Sequence, residues 1–165
     1  MEIRVVTGDI TAAEVDVIVT AANRSLIGGG GVDGAVHRAA GPQLLQALRP
    51  LAPCPAGRAV ITPSFALGPP AWYVVHAVGP RYGVDEPAAE LLASVYVSSL
   101  ARCDEVGGLS VAFPALSTGA YGYPLFEACQ VSVVALKGAN TSVQLCLLVA
   151  FDERTHTLWE RALAR

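Results

Sequence analysis

The sequence predicts an α/β fold with a largely parallel, helix-covered sheet. Three observations carry this expectation. Short apolar, β-branched runs alternate along the chain with segments of helical periodicity, the pattern of strand–helix–strand units. Several of these runs, the β-branched and almost wholly apolar Val15-Asp16-Val17-Ile18-Val19 above all, do not alternate apolar with polar residues, as in strands buried on both faces. Finally, 53% of the 165 residues are hydrophobic and 15% are charged, which suits a covered sheet better than a disordered chain. One domain over residues 1–165 is expected.

Ile3 to Val6 reads as the first strand, and Thr7-Gly8-Asp9-Ile10-Thr11 as a turn, with Thr11 as the N-cap of a one-turn helix toward Glu14. Val15–Val19 is a buried strand that ends at Thr20-Ala21-Ala22-Asn23. Asp33 to Leu48 is a helix with Val36, Ala39, Ala40, Leu44, Leu45 and Leu48 on its buried stripe; Gly41-Pro42 kinks or splits it. A Pro-rich connection leads to strands at Ala59–Thr62 and Trp72–Val78. Pro87 to Glu105 is a helix with its proline at the start. Ser110–Phe113 is a strand, and Pro124 suits the first position of a helix that runs to about Lys137 and stops at Gly138-Ala139-Asn140. Gln144–Ala150 is the last strand, followed by Phe151-Asp152 and a closing helix from Thr155 to Arg165.

The chemistry concentrates between Asn23 and His37. Gly28 to Gly31 strip the side chains from one piece of backbone that feeds a helix start, so its N–H groups can approach a phosphate closely. The loop matches neither G-x-x-x-x-G-K-[ST] nor a clean G-x-G-x-x-G, which argues against an NTPase or a dehydrogenase. A second loop, Leu116 to Pro124, also joins a strand end to a helix and carries two glycines. Two such loops suggest a pyrophosphate clamped from both sides. Asp33 is either a helix N-cap or a carboxylate that positions or activates a water beside the ligand. His37, one helical turn on, shares its face. Asn23 can hold a ribose hydroxyl or a water, or simply form a turn. Asp9 can accept from a base amino group or cap the short helix. Phe151 can stack on a base or serve as a core aromatic. His76 reads as a satisfied core histidine.

The net charge of −3 and the lack of a basic run argue against sequence-independent nucleic-acid binding. Met1-Glu2-Ile3-Arg4 is no signal peptide, and no apolar run reaches membrane-spanning length. The four scattered cysteines, Cys54, Cys103, Cys129 and Cys146, read as reduced, buried residues, and a cytoplasmic location is expected.

Taken together, these motifs resemble the macrodomain family, and within it the MacroD-type ADP-ribosyl hydrolases. The matching pieces are Gly8-Asp9-Ile10-Thr11, Ala21-Ala22-Asn23, Gly28–Gly34 with its Val32-Asp33, His37-Arg38-Ala39-Ala40-Gly41, and Ser117-Thr118-Gly119 with Tyr121–Pro124. The resemblance implies a three-layer α/β/α sandwich around a mixed, mostly parallel sheet. It also implies ADP-ribose in a cleft at one edge, with ADP-ribosylated proteins or O-acetyl-ADP-ribose as substrates, no cofactor, no metal, no membrane, and a monomer. Carried over by residue, Asp9 and the Ile10 backbone hold adenine and Phe151 stacks on it. Gly29, Gly30, Gly31 and Val32, with Ser117, Thr118, Gly119, Ala120 and Tyr121, hold the pyrophosphate and distal ribose. Asn23 binds that ribose, Asp33 orients or activates water, and His37 supports the geometry. The implied reaction is ester hydrolysis at the distal ribose. A reader that holds ADP-ribose without turnover is the alternative, and a phosphatase acting on ADP-ribose-1″-phosphate a third reading. One departure stands out: the family reads Asn-Ala-Ala-Asn where this chain has Thr20-Ala21-Ala22-Asn23, which implies a change in packing beside the site.

Overall fold

A computed structural model describes residues 1–165. Six strands form one sheet: β1 (Glu2–Thr7), β2 (Val17–Ala21), β3 (Arg58–Pro63), β4 (Tyr73–Val78), β5 (Ser110–Phe113) and β6 (Leu145–Ala150). Their spatial order is β1-β6-β5-β2-β4-β3. Every neighbouring pair is parallel except β3 with β4, so the sheet is mixed and mostly parallel, as expected.

The helices cover both faces. Helices α1 (Gly31–Ala40) and α2 (Gln43–Leu48) lie on one side, and α3 (Ala88–Glu105), α4 (Leu125–Gly138) and α5 (Glu153–Leu163) on the other. The consecutive apolar residues of the central strands are divided between two cores. Val17, Val19, Val75 and Ala77 face α3–α5, whereas Ile18, Val74 and Val78 face α1 and α2. A strand with helices on both sides needs apolar side chains at every position, which explains why these runs do not alternate.

The local boundaries carry the corrections. The helix expected from Asp33 begins at Gly31 and breaks into α1 and α2 at Gly41-Pro42, where Gly41 takes φ +85°. Asp9, not Thr11, caps the short 3-10 turn Ile10–Ala12, because its Oδ1 accepts from the Thr11 N–H at 2.9 Å and the Thr11 hydroxyl at 2.7 Å. Pro124 stands one residue before α4. Asp152, accepting from the Thr155 N–H at 2.8 Å, starts α5 at Glu153, two residues ahead of the expected Thr155. Beyond the edge of β4, Trp72 is exposed rather than part of the strand. All four cysteines are buried and unpaired, and burial pushes the thiols of Cys103, Cys129 and Cys146 up to about 12. No helix is long and apolar enough to cross a membrane.

Trp159 ties α5 to α4: its ring is fully buried and its indole N–H donates to the Ser132 hydroxyl at 3.0 Å. Trp159→Ala is expected to lower unfolding stability by about 3–5 kcal/mol through cavity formation, read as a reduced midpoint in urea denaturation.

Candidate functional site

Strands β1, β6, β5 and β2 are parallel neighbours, so their C-terminal ends emerge side by side. At about 4.8 Å per strand spacing, the loops after β1 and β2 stand about 14 Å apart. Between and around them lies a cleft of about 1330 Å³. It exceeds the usual 300–1,000 Å³ of a small-molecule pocket and suits a long, multi-part ligand. Along it, in strand order, come Asp9 after β1, Phe151 after β6, the Ser117–Tyr121 loop after β5, and the glycine loop with Asp33 after β2. Any ligand laid across the strand ends meets the aromatic group at one end and the buried carboxylate at the other.

The glycine loop is braced from within. The Asn23 amide donates to the Gly28 carbonyl at 2.9 Å and accepts from the Ile27 N–H and the Ser25 hydroxyl, both at 3.2 Å. Leu26, at φ 56°, buries its side chain in the α1–α2 core and pins the loop down. Gly30 precedes α1 and has no side chain to cap it, so the N–H groups of the first turn are left for a ligand. Gly34 lets α1 pack against the loop: a Cβ there would lie 2.6 Å from the Gly29 carbonyl oxygen.

The second loop is held from beneath. The buried Tyr96 hydroxyl of α3 donates to the Pro114 carbonyl at 3.4 Å and accepts from the Leu116 N–H at 3.2 Å. Ser117 takes φ 67° and packs against Gly79, where any Cβ would collide with the serine side chain. The Tyr123 N–H donates to the Ser117 carbonyl at 2.9 Å and the Gly122 N–H to the Gly119 carbonyl at 3.0 Å, which closes the turn.

Asp33 is the third residue of α1, lines the cleft, and is buried. It does not cap the helix. Its Oδ1 instead accepts from the Thr20 hydroxyl of β2 at 3.0 Å and lies 3.7 Å from His37 Nε2. Burial raises its carboxyl above the ordinary value, while His37 and the Thr20 hydroxyl pull the other way. Thr20, the departure from the family pattern, thus touches the carboxylate directly. His37 is 17% exposed and stands behind Asp33 instead of lining the cleft, its ring packed beside Gly28. Beneath both, His76 pairs in register with Thr20 across β4 and β2. It shares a hydrogen bond of 2.9 Å with the Thr62 hydroxyl through Nε2, but its buried Nδ1 has no partner. The expectation of a satisfied core histidine therefore fails on one nitrogen. Burial, followed by the nearby His37, takes its pKa down to about 3, so the ring is neutral near pH 7.

At the other end of the cleft, Phe151 is 88% exposed, which rules out the core-aromatic alternative and leaves a free ring face. Asp9 lines the cleft with one oxygen committed to Thr11, alongside Ile10. The structure thus brings together every residue expected at the site except His37, which backs it. Sequence reasoning missed Arg154, the one basic residue on the cleft wall, which faces Asp9, Asp33 and Asp152 in the same lining. With one cation against three carboxylates, a bound anion must depend on backbone N–H groups. Asp152, the helix cap just before Arg154, was the available signal, because it sets the first turn of α5 at the cleft mouth.

Gly34→Ala is expected to displace the Gly29 carbonyl and weaken binding of an anionic ligand in the cleft by about 1–3 kcal/mol, roughly 5- to 150-fold, in calorimetric titration. A second expectation concerns pH. The folded-state pKa of Asp33 is raised above its ordinary 3.8, so the group favours folding while protonated and that contribution is lost as pH rises through the raised value. Asp33→Asn is therefore expected to melt above the wild type at pH 7, with the gap closing below pH 4; calorimetric scans at both pH values check it.

Comparison with known proteins follows the same lines. The Macro domain family model matches residues 19–132. An O-acetyl-ADP-ribose deacetylase of Klebsiella pneumoniae is 49% identical over 168 residues, covering 97% of this chain and 95% of the relative. A macro domain-containing protein of Lactiplantibacillus plantarum is 48% identical, covering 99% and 97%. Among solved structures, the Oceanobacillus iheyensis macrodomain with ADP superposes with TM-score 0.91 at 38% identity, covering 98% of this chain and 90% of that one. The Trypanosoma brucei macrodomain in complex with ADP-ribose gives 0.87 at 36%, covering 98% and 68%. Full-length identity, the matched family model and the shared fold agree: this chain belongs to the Macro domain family.

Proposed function

We propose that this chain binds ADP-ribose along the cleft and hydrolyses esters at its distal ribose. The substrates are O-acetyl-ADP-ribose and ADP-ribose linked to acidic side chains of proteins. The single observation that carries catalysis rather than mere binding is the buried Asp33 carboxylate at the β2 end of the cleft, fixed by Thr20 and flanked by His37. A pure binding module needs the two loops but not a costly buried carboxylate. Relatives named O-acetyl-ADP-ribose deacetylase at 49% identity support the same reading.

In this reading adenine lies on Phe151 with its amino group toward Asp9, which the order of the strand ends along the cleft supports. The pyrophosphate lies between the Gly29–Val32 and Ser117–Tyr121 backbones, and the distal ribose lies beside Asn23 and Asp33. The loops fix the ester next to a water held by Asp33, so attack becomes effectively intramolecular. The water oxygen bonds to the acyl carbon and gives its proton to Asp33, whose raised pKa makes it a stronger base than an exposed carboxylate. Collapse of the tetrahedral adduct breaks the bond from acyl carbon to ribose oxygen, and the proton returns to that oxygen. The products are the free hydroxyl and the acid. His37, behind the carboxylate, supports its ionised form.

Asp33→Ala is expected to lower turnover of O-acetyl-ADP-ribose and of a Glu-linked mono-ADP-ribosylated protein about 10²–10⁴-fold, with ADP-ribose affinity largely kept in calorimetry. Full turnover by Asp33→Ala would remove the assigned role. Tight ADP-ribose binding with no turnover by the wild type would make the protein a reader.

A further inference from the structure

The sheet face under α1 carries a polar seam that the phosphate clamp does not use. Thr62 on β3, His76 on β4 and Thr20 on β2 lie on adjacent strands, and Asp33 and His37 descend onto them from α1. Three of these side chains ligate metals. Asp33, His37 and His76 each offer one donor atom, and those atoms lie within 4.8 Å of one another. His76 supplies an independent sign of a missing ligand. Its ring is fully buried, Nε2 is taken by Thr62 at 2.9 Å, and Nδ1 has no hydrogen-bond partner. A buried polar atom without a partner calls for an unseen water or ion.

We propose that Asp33, His37 and His76 form a binding site for a borderline divalent transition-metal ion, zinc above all, and that the bound ion blocks hydrolysis by occupying the Asp33 carboxylate. The second clause rests on the hydrolase reading; the first does not. The donor set decides the class of ion. Two imidazoles and one carboxylate suit zinc, cobalt or nickel and disfavour magnesium or calcium, which take oxygen ligands. The spacing also fits. Tetrahedral zinc at about 2.1 Å from each ligand sets its ligand atoms about 3.4 Å apart. Asp33 and His37 already stand at 3.7 Å, and His37 is the most exposed of the three. When Nε2–H of His76 donates to Thr62, the Nδ1 lone pair is left for the ion, and Thr62 orients the ring as an outer hydrogen bond orients a metal-bound histidine. Because Asp33 also lines the cleft, an ion held there is reachable from solvent and keeps one position open.

The test uses the full chain, stripped with chelator and then titrated with zinc chloride by calorimetry and with cobalt chloride by visible absorption. One zinc per chain and cobalt d–d bands of a four-coordinate site are expected. In His76→Gln, which retains a hydrogen-bonding group toward Thr62, zinc affinity is expected to fall at least about 10-fold while ADP-ribose affinity is kept. If that variant does not fold, His37→Gln is titrated with zinc alone, and the same loss of zinc affinity is expected. Absence of zinc binding to the wild type, or equal affinity in the folded variant, overturns the site, and a water is then the partner of His76. Turnover of O-acetyl-ADP-ribose is assayed in chelator and with added zinc. Loss of turnover on zinc addition is expected, and unchanged turnover with the site filled overturns the inhibitory clause. No turnover even in chelator refutes the hydrolase reading and leaves the metal titration standing by itself.

Discussion

Parallel alignment of β1, β6, β5 and β2 is the constraint on which the rest of the molecule depends. Antiparallel strands would scatter their loops to both ends of the sheet. Parallel ones deliver four consecutive loops to the same end. The later crossovers run through helices, the helices cover both faces, and the central strands become apolar at every position. The hydrophobic content of the chain and the location of its cleft thus share one cause.

That cleft solves an electrostatic problem with backbone rather than side chains. One arginine and three aspartates line it, so an anionic ligand finds no basic pocket. What it finds is the uncapped start of α1, next to a glycine-bearing turn closed by its own hydrogen bonds. Such donors must already be in place when the ligand arrives. Their rigidity comes from groups that do not face the cleft: the Asn23 amide, the buried Leu26 and the Tyr96 hydroxyl under the second loop.

Asp33 is a place where the fold accepts an unfavourable group. A carboxylate buried in the cleft wall is opposed by desolvation, and its surroundings compensate only in part, through one threonine hydroxyl and one imidazole. Thr20 aims a hydroxyl at the carboxylate, and His76, its cross-strand neighbour, has an unpartnered nitrogen. The polar seam from Thr62 to Asp33 holds the unpartnered His76 nitrogen, and both functional proposals meet there.

The sequence by itself determined the strands, the sense of the sheet, the two glycine-bearing loops and the candidacy of Asp33, because each depends on local preference or on short-range pattern. Apolar runs, glycine clusters and Pro-marked helix starts act within a few residues. Helix ends were less legible: Asp9 and Asp152 proved to be the caps because a carboxylate two or three residues upstream competes for the same N–H groups as a nearby threonine. Only the tertiary structure decided which residues share a site when they are distant in sequence. Thr20 meets Asp33 because β2 runs under α1; His76 lies beside Thr20 because β4 pairs in parallel register with β2; Arg154 reaches the cleft because α5 starts beside the end of β6. Strand order and register fix those meetings. They are set by the packing of the whole chain, which no local pattern encodes.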